Sequence, residues 1–109
     1  MKRTSIILAA LAITLLWFAT GPAKETKQAD RGEAAFNRHC AVCHPDGGNT
    51  VNPQKTLHLK DLKLNNIATP SDIIEIMRKP RPGMYAFDES TVPDPEARLI
   101  AEYILKTFK

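Results

Sequence analysis

The stretch Cys40-Ala41-Val42-Cys43-His44 decides how the rest of the chain is read. It sets two thiols three residues apart at the end of a helix-like segment, with an imidazole directly after the second. Residues three apart on a helical turn face the same way, so both sulfurs can bond to one flat group. Three chemistries use such a pair. A zinc site requires a second Cys or His pair, but only His39 and His58 remain, and they form no motif with metal-ligand spacing. A thioredoxin-type redox pair sits in an alternating strand and helix pattern, which this chain lacks. Covalent attachment of a c-type haem needs Cys-x-x-Cys-His itself: the thiols add to the two vinyl groups and the histidine ligates the iron. The motif therefore predicts one covalently bound haem c per chain, held by Cys40 and Cys43, with His44 as the proximal iron ligand.

Outward from this motif the periodicity is helical throughout. Asp30 with Glu33 three residues later reads as the cap of a first helix, and Gly32, Ala35, Phe36, His39, Cys40 and Cys43 follow the three-four spacing of one face. Thr69-Pro70-Ser71-Asp72 is a second start signal, leading into Ile73, Ile74, Ile76 and Met77 before Pro80 ends the helix. Asp94-Pro95-Glu96 repeats the device ahead of an amphipathic stripe of Ala97, Ile100, Ala101, Ile104, Leu105 and Phe108. Leu57 to Leu64 reads as a short helix, and the Gly-, Asn- and Pro-rich Pro45 to Pro53 as a loop. No run alternates long enough for a strand. The expected fold is all-α, three to four helices and long loops around one haem.

A second axial ligand must come from elsewhere. Met84 lies in Pro80-Arg81-Pro82-Gly83-Met84-Tyr85, where two prolines forbid regular helix and stiffen an extended loop. No periodic face claims Met84, so it is the expected distal ligand. Met77 lies on the apolar face of a helix and reads as core. His58, between Leu57 and Leu59, reads as a surface or half-buried residue, and His39 is too close to the attachment turn to reach the opposite haem face.

Composition bounds the rest. The chain has 109 residues, with 15 Lys and Arg against 12 Asp and Glu. Residues 1–23 begin with Lys2 and Arg3 and continue through Ile6 to Ala19, a stretch broken only by Thr14 and short for a spanning helix. This reads as a signal peptide cleaved after Ala23, leaving a domain at 24–109; the alternative is an uncleaved membrane anchor. Two of the basic residues and none of the acidic ones lie in the leader, so the domain's net charge is only about +1. That balance, with no Lys/Arg run longer than two, argues against a nucleic-acid binder. A domain of about 86 residues also buries a modest fraction of its surface, and one short Cys-Cys loop adds little; the haem supplies the missing core.

The chain resembles the class I c-type cytochromes, specifically the small monohaem subgroup of photosynthetic electron transport and of exported cytochromes from metal-reducing bacteria. The resemblance runs over residues 28–109. It rests on Gly32 and Phe36, Gly48-Asn49, Pro53-Gln54-Lys55-Thr56-Leu57, Gly83-Met84 with Ala86-Phe87, and Ala101-Glu102-Tyr103. It implies that the first and last helices cross at Gly32, Phe36 and Tyr103, and that the Pro53 carbonyl accepts the Nδ1 proton of His44. The family loop usually continues Met-Pro-Ala-Phe, where this chain has Met84-Tyr85-Ala86-Phe87.

The function implied is single-electron transfer between redox partner proteins by a monomer that is a carrier and not an enzyme. Its location would be periplasmic or otherwise exported, including a thylakoid-lumen-like compartment. With both axial sites filled, no position is open for oxygen or peroxide. Lys55, Lys60 and Lys63 are a candidate docking patch. Two other readings stand beside this one: a haem sensor or ligand-binding protein with a weak distal ligand, and an assembly subunit tethered by its leader.

Overall fold

The computed structural model describes residues 23–109, and all of the expected leader but Ala23 lies outside the described residues, as does its anchor alternative. Four α-helices follow in order, α1 Ala23–His39, α2 Leu59–Leu64, α3 Pro70–Arg78 and α4 Asp94–Thr107, with one 3-10 turn at Pro45–Gly47. Among the described residues there is no strand, as the sequence implies. None of the described helices is long and apolar enough to cross a membrane.

The first helix begins earlier than its expected cap. Asp30 and Glu33 lie inside α1, which starts at Ala23, seven residues ahead of Asp30. Lys24, Glu25, Lys27, Gln28 and Ala29 are all good helix formers with nothing to stop the turn. Lys106 of α4 meets Glu25 at 3.5 Å across the early turns. At α2 the correction runs the other way. Leu57 donates its N–H to the Gly47 carbonyl at 2.7 Å, Leu59 donates to Phe108 at 2.9 Å, and His58 between them is extended, so the helix cannot start before Leu59.

The third helix is capped as its sequence suggests. Thr69 Oγ1 accepts from the Asp72 N–H, and the Asp72 carboxylate accepts from the Thr69 N–H at 2.9 Å, a complete capping box. Bonds from the Ala68 N–H, the Thr69 N–H and the Thr69 side chain, in that order, hold the Asp72 carboxyl below the usual carboxylate range. The fourth helix differs. Pro93 is its cap residue and Asp94 makes no capping bond. The Asp94 carboxylate instead accepts from Arg78 at 2.6 Å, tying the start of α4 to the end of α3.

The core lies where α1 and α3 meet α4. Ala97, Ile100 and Ala101 are fully buried, and Ile104 nearly so. Gly32 makes the α1–α4 crossing close: a β-carbon there would stand 2.6 Å from the Leu99 carbonyl oxygen. One turn on, Phe36 packs against Tyr103 and Phe108, each with ring centroids 5.3 Å away. The crossing that the resemblance implied, through Gly32, Phe36 and Tyr103, is therefore present. It delivers the end of α1, and with it Cys40, to a fixed place.

Candidate haem site

The attachment motif forms a compact turn directly after α1. Cys40 and Ala41 both donate N–H bonds to the Phe36 carbonyl, at 2.8 and 3.1 Å. Cys43 and His44 donate to the Cys40 carbonyl at 3.2 and 2.9 Å. The chain thus keeps helical curvature through the motif, and Cys40, Cys43 and His44 all line one cleft of about 230 Å³. Both cysteines are free and half-buried. Burial, and secondly the charge of Cys43 beside it, push the Cys40 thiol up to about 11.

His44 is oriented from behind. Its Nδ1 lies 2.8 Å from the Gly48 carbonyl, so Nδ1 carries the proton and donates, leaving Nε2 as the free donor pair for a metal. This corrects the expectation for Pro53. The 3-10 turn Pro45–Gly47 folds the chain straight back, which presents the Gly48 carbonyl to the ring four residues on. Pro53 is exposed and does not line the cleft. Asn49 builds the loop between them: its Oδ1 accepts from Val51 and Asn52 at 3.0 and 2.8 Å, and its Nδ2 donates to the Lys55 carbonyl at 2.9 Å. Sequence reasoning named Gly48 as a motif residue without assigning its carbonyl a task, because a backbone acceptor leaves no side-chain signature.

Met84 comes to the same cleft from the loop between α3 and α4. Its N–H donates to the Arg81 carbonyl at 3.3 Å, closing a four-residue turn in which Gly83 has φ of +96°. That left-handed backbone suits glycine, and the residue also sits close on Val51 of the facing loop. The loop is pinned again at its far end. Phe87 donates its N–H to the Met77 carbonyl at 2.8 Å, and Arg78 donates to the Phe87 carbonyl at 2.8 Å. Met84 is half-buried.

Of the other candidate ligands, Met77 and His39 share the cleft wall and His58 does not. Met77 lines the cleft but is 4 % exposed, embedded in α3 as a core residue. His58 is not part of the cleft wall and lies edge-on to Phe108 at 6.0 Å. His39 does line the cleft, with Nε2 3.4 Å from the Glu96 carboxylate, which also accepts from Arg38. No described group of three or more His, Cys, Asp or Glu side chains gathers as a metal-binding cluster.

The cleft fits a haem by its chemistry. Two thiols and a pre-oriented imidazole occupy one stretch of wall and a thioether comes from a separate loop. Ile67, Ile73, Ile76, Leu57 and Phe87 supply an apolar lining suited to a flat macrocycle.

Comparison with known proteins agrees. The family model for cytochrome c oxidase, cbb3-type, subunit III matches residues 27–104. Chloroplastic cytochrome c6 of Arabidopsis thaliana is 31% identical over 105 residues, covering 86% of this chain and 60% of that relative, so the chain spans three fifths of its length. Cytochrome c6 of Cyanidium caldarium is 30% identical, with 96% and 94% covered. Among solved structures, the outer membrane cytochrome F, OmcF, of Geobacter sulfurreducens superposes with a TM-score of 0.70 at 45% identity, over 72% of this chain and 99% of that one. Oxidised cytochrome c6A of Arabidopsis thaliana gives 0.64 at 31% identity, over 72% and 87%. With its four-helix fold, its Cys40-Ala41-Val42-Cys43-His44 turn and these relatives, the chain belongs to the class I c-type cytochromes, small electron carriers with one covalent haem.

Proposed function

We propose that this protein is an exported monohaem carrier that takes one electron from a donor protein and passes it to an acceptor, with His44 and Met84 as the axial ligands. The observation that carries the reading is the meeting of Cys40, Cys43, His44 and Met84 in a single apolar cleft. Bound there, haem supplies an iron that alternates between ferric and ferrous states. Cys40 and Cys43 would hold it covalently, so that it is retained in both states. His44 is presented in one tautomer by the Gly48 carbonyl, a bond that also raises the basicity of Nε2. Met84 would supply a thioether ligand to the iron, which favours the ferrous form relative to a second histidine and would leave no site for an exogenous ligand.

Export is supported by the basic-then-apolar leader and by relatives named as chloroplastic and as an outer membrane cytochrome. The mouth of the cleft carries Val42, Val51 and Tyr85, at 83%, 60% and 82% exposure, with Lys55 beside them. An apolar rim with a cationic edge suits brief contact with a redox partner as a monomer. Carbon monoxide separates this reading from a haem sensor or ligand-binding protein. Ferrous carrier at neutral pH keeps its spectrum when the gas is added. Ready formation of a carbonyl adduct would assign the protein to the second class.

A further inference from the structure

Arg81 stands on the cleft wall and opens the turn that carries Met84. Its guanidinium is forked onto one residue: Nη1 donates to Asn65 Oδ1 at 3.1 Å and Nη2 to the Asn65 carbonyl at 3.2 Å. Two parallel donors on two oxygens of a single residue is a geometry that guanidinium supplies and ammonium does not.

Asn65 is a firm anchor. Its backbone N–H bonds to the Asp61 and Leu62 carbonyls, each at 3.1 Å, and its Nδ2 donates to the Asp61 carbonyl at 2.9 Å. With the amide nitrogen committed to its own helix, Oδ1 is left as an acceptor for Arg81. The helix behind it is held in turn to the loop on the other side of the cleft. Thr56 Oγ1 donates to Asp61 Oδ2 at 2.5 Å and accepts from the His58 N–H at 3.2 Å. Helix α2 thus bridges two loops: the one after His44 through Thr56 and Asp61, and the one bearing Met84 through Asn65 and Arg81.

We propose that Arg81 is a positioning residue for Met84, a strap that holds the Pro80–Met84 turn against α2 so that the thioether stays in the cleft. This rests on Met84 being the distal ligand. The far end of the loop is fixed independently at Phe87, so loss of the Arg81 fork frees one end and lets Met84 leave the iron more often without unfolding the helices. Any ligand that competes for the vacated position then binds more tightly, in proportion to the fraction of time the loop is open.

The test is imidazole titration of the full ferric holoprotein, following loss of the weak red-edge sulfur-to-iron absorption band. Arg81→Ala is expected to raise apparent imidazole affinity about fivefold, as two net hydrogen bonds at an exposed site imply at the low end of their range. Arg81→Lys, which keeps the charge and loses the fork, should behave nearly the same. Asn65→Ala should give a smaller rise, because its carbonyl remains, and the double variant should match Arg81→Ala alone. Asn65→Ala also carries the test if Arg81→Ala does not fold. Unchanged affinity in the single variants, wild-type behaviour of Arg81→Lys, or effects that multiply in the double variant would overturn the strap. Failure of the underlying ligand assignment looks different: the band would be missing from wild type or would survive Met84→Ala, and the strap would fall with it.

Discussion

Replacing Gly32 by alanine puts one methyl group where the structure has no space for it. The new β-carbon would stand 2.6 Å from the Leu99 carbonyl oxygen and 3.0 Å from Tyr103 Cβ. Both obstacles are rigid, one being helix backbone and the other a β-carbon. An ordinary contact lies near 3.4 Å, so α1 and α4 must part by about 0.8 Å in an interior that is close-packed. Overpacking of this kind costs about 1–3 kcal/mol, and the parting also loosens Phe36 against Tyr103 and Phe108, pairs that contribute about 0.5–1.5 kcal/mol each. Alanine is the better helix former by about 1 kcal/mol, which offsets part of the loss. The net is a destabilisation of about 2 kcal/mol, or a fall in Tm of about 8–16 °C for a domain of this size. Thermal unfolding of the holoprotein by circular dichroism reads it, with Ala34→Gly as a reference for helix propensity at an exposed position of the same helix. A Tm for Gly32→Ala equal to or above that of wild type would refute the close crossing.

Other outcomes follow from single contacts. Ile100→Ala, at a fully buried position, should cost about 3 kcal/mol in denaturant unfolding, with an unchanged midpoint contradicting the core assignment. Asp88 accepts from Ser90 Oγ, the Thr91 N–H and Thr91 Oγ1, which together hold its carboxyl at about 2, below its ordinary 3.8. A lowered folded value contributes stability above pH 4 that is lost as pH falls through 2. The stability gap between wild type and Asp88→Asn should therefore be constant near neutrality and close over that acid range; a gap independent of pH would deny the turn its role. Cys40→Ser should keep haem on the polypeptide through Cys43 alone, seen as intact haem-bearing mass after denaturation. Complete loss of haem on acid extraction would show that one thioether is not enough here.

Much of this was legible in the residues because side chains announced it. The Cys-x-x-Cys-His spacing, the Thr69-to-Asp72 capping box and the stripe through Ala97, Ile100, Ala101 and Ile104 each write their geometry into residue type and period. The place of Met84 in the cleft was legible for the opposite reason: two prolines removed it from any helical face. What escaped is carried by backbone or by distance. The acceptor for His44 is a glycine carbonyl set by a 3-10 turn, and α1 starts before its apparent cap because helix formers precede Asp30. Asp94 looks like a cap and serves as the partner of Arg78, a contact sixteen residues away that no local pattern encodes. The fork of Arg81 on Asn65 spans the same separation and is equally silent in sequence.

Coordination of the iron by Met84, opposite the motif histidine, is what the electron-carrier reading stands on. The ferric absorption spectra of wild type, Met84→Ala and Met77→Ala test it most directly. The weak red-edge band of sulfur bound to ferric iron should be present in wild type, lost in Met84→Ala and retained in Met77→Ala. A band that persists in Met84→Ala and disappears in Met77→Ala would move the ligand to α3.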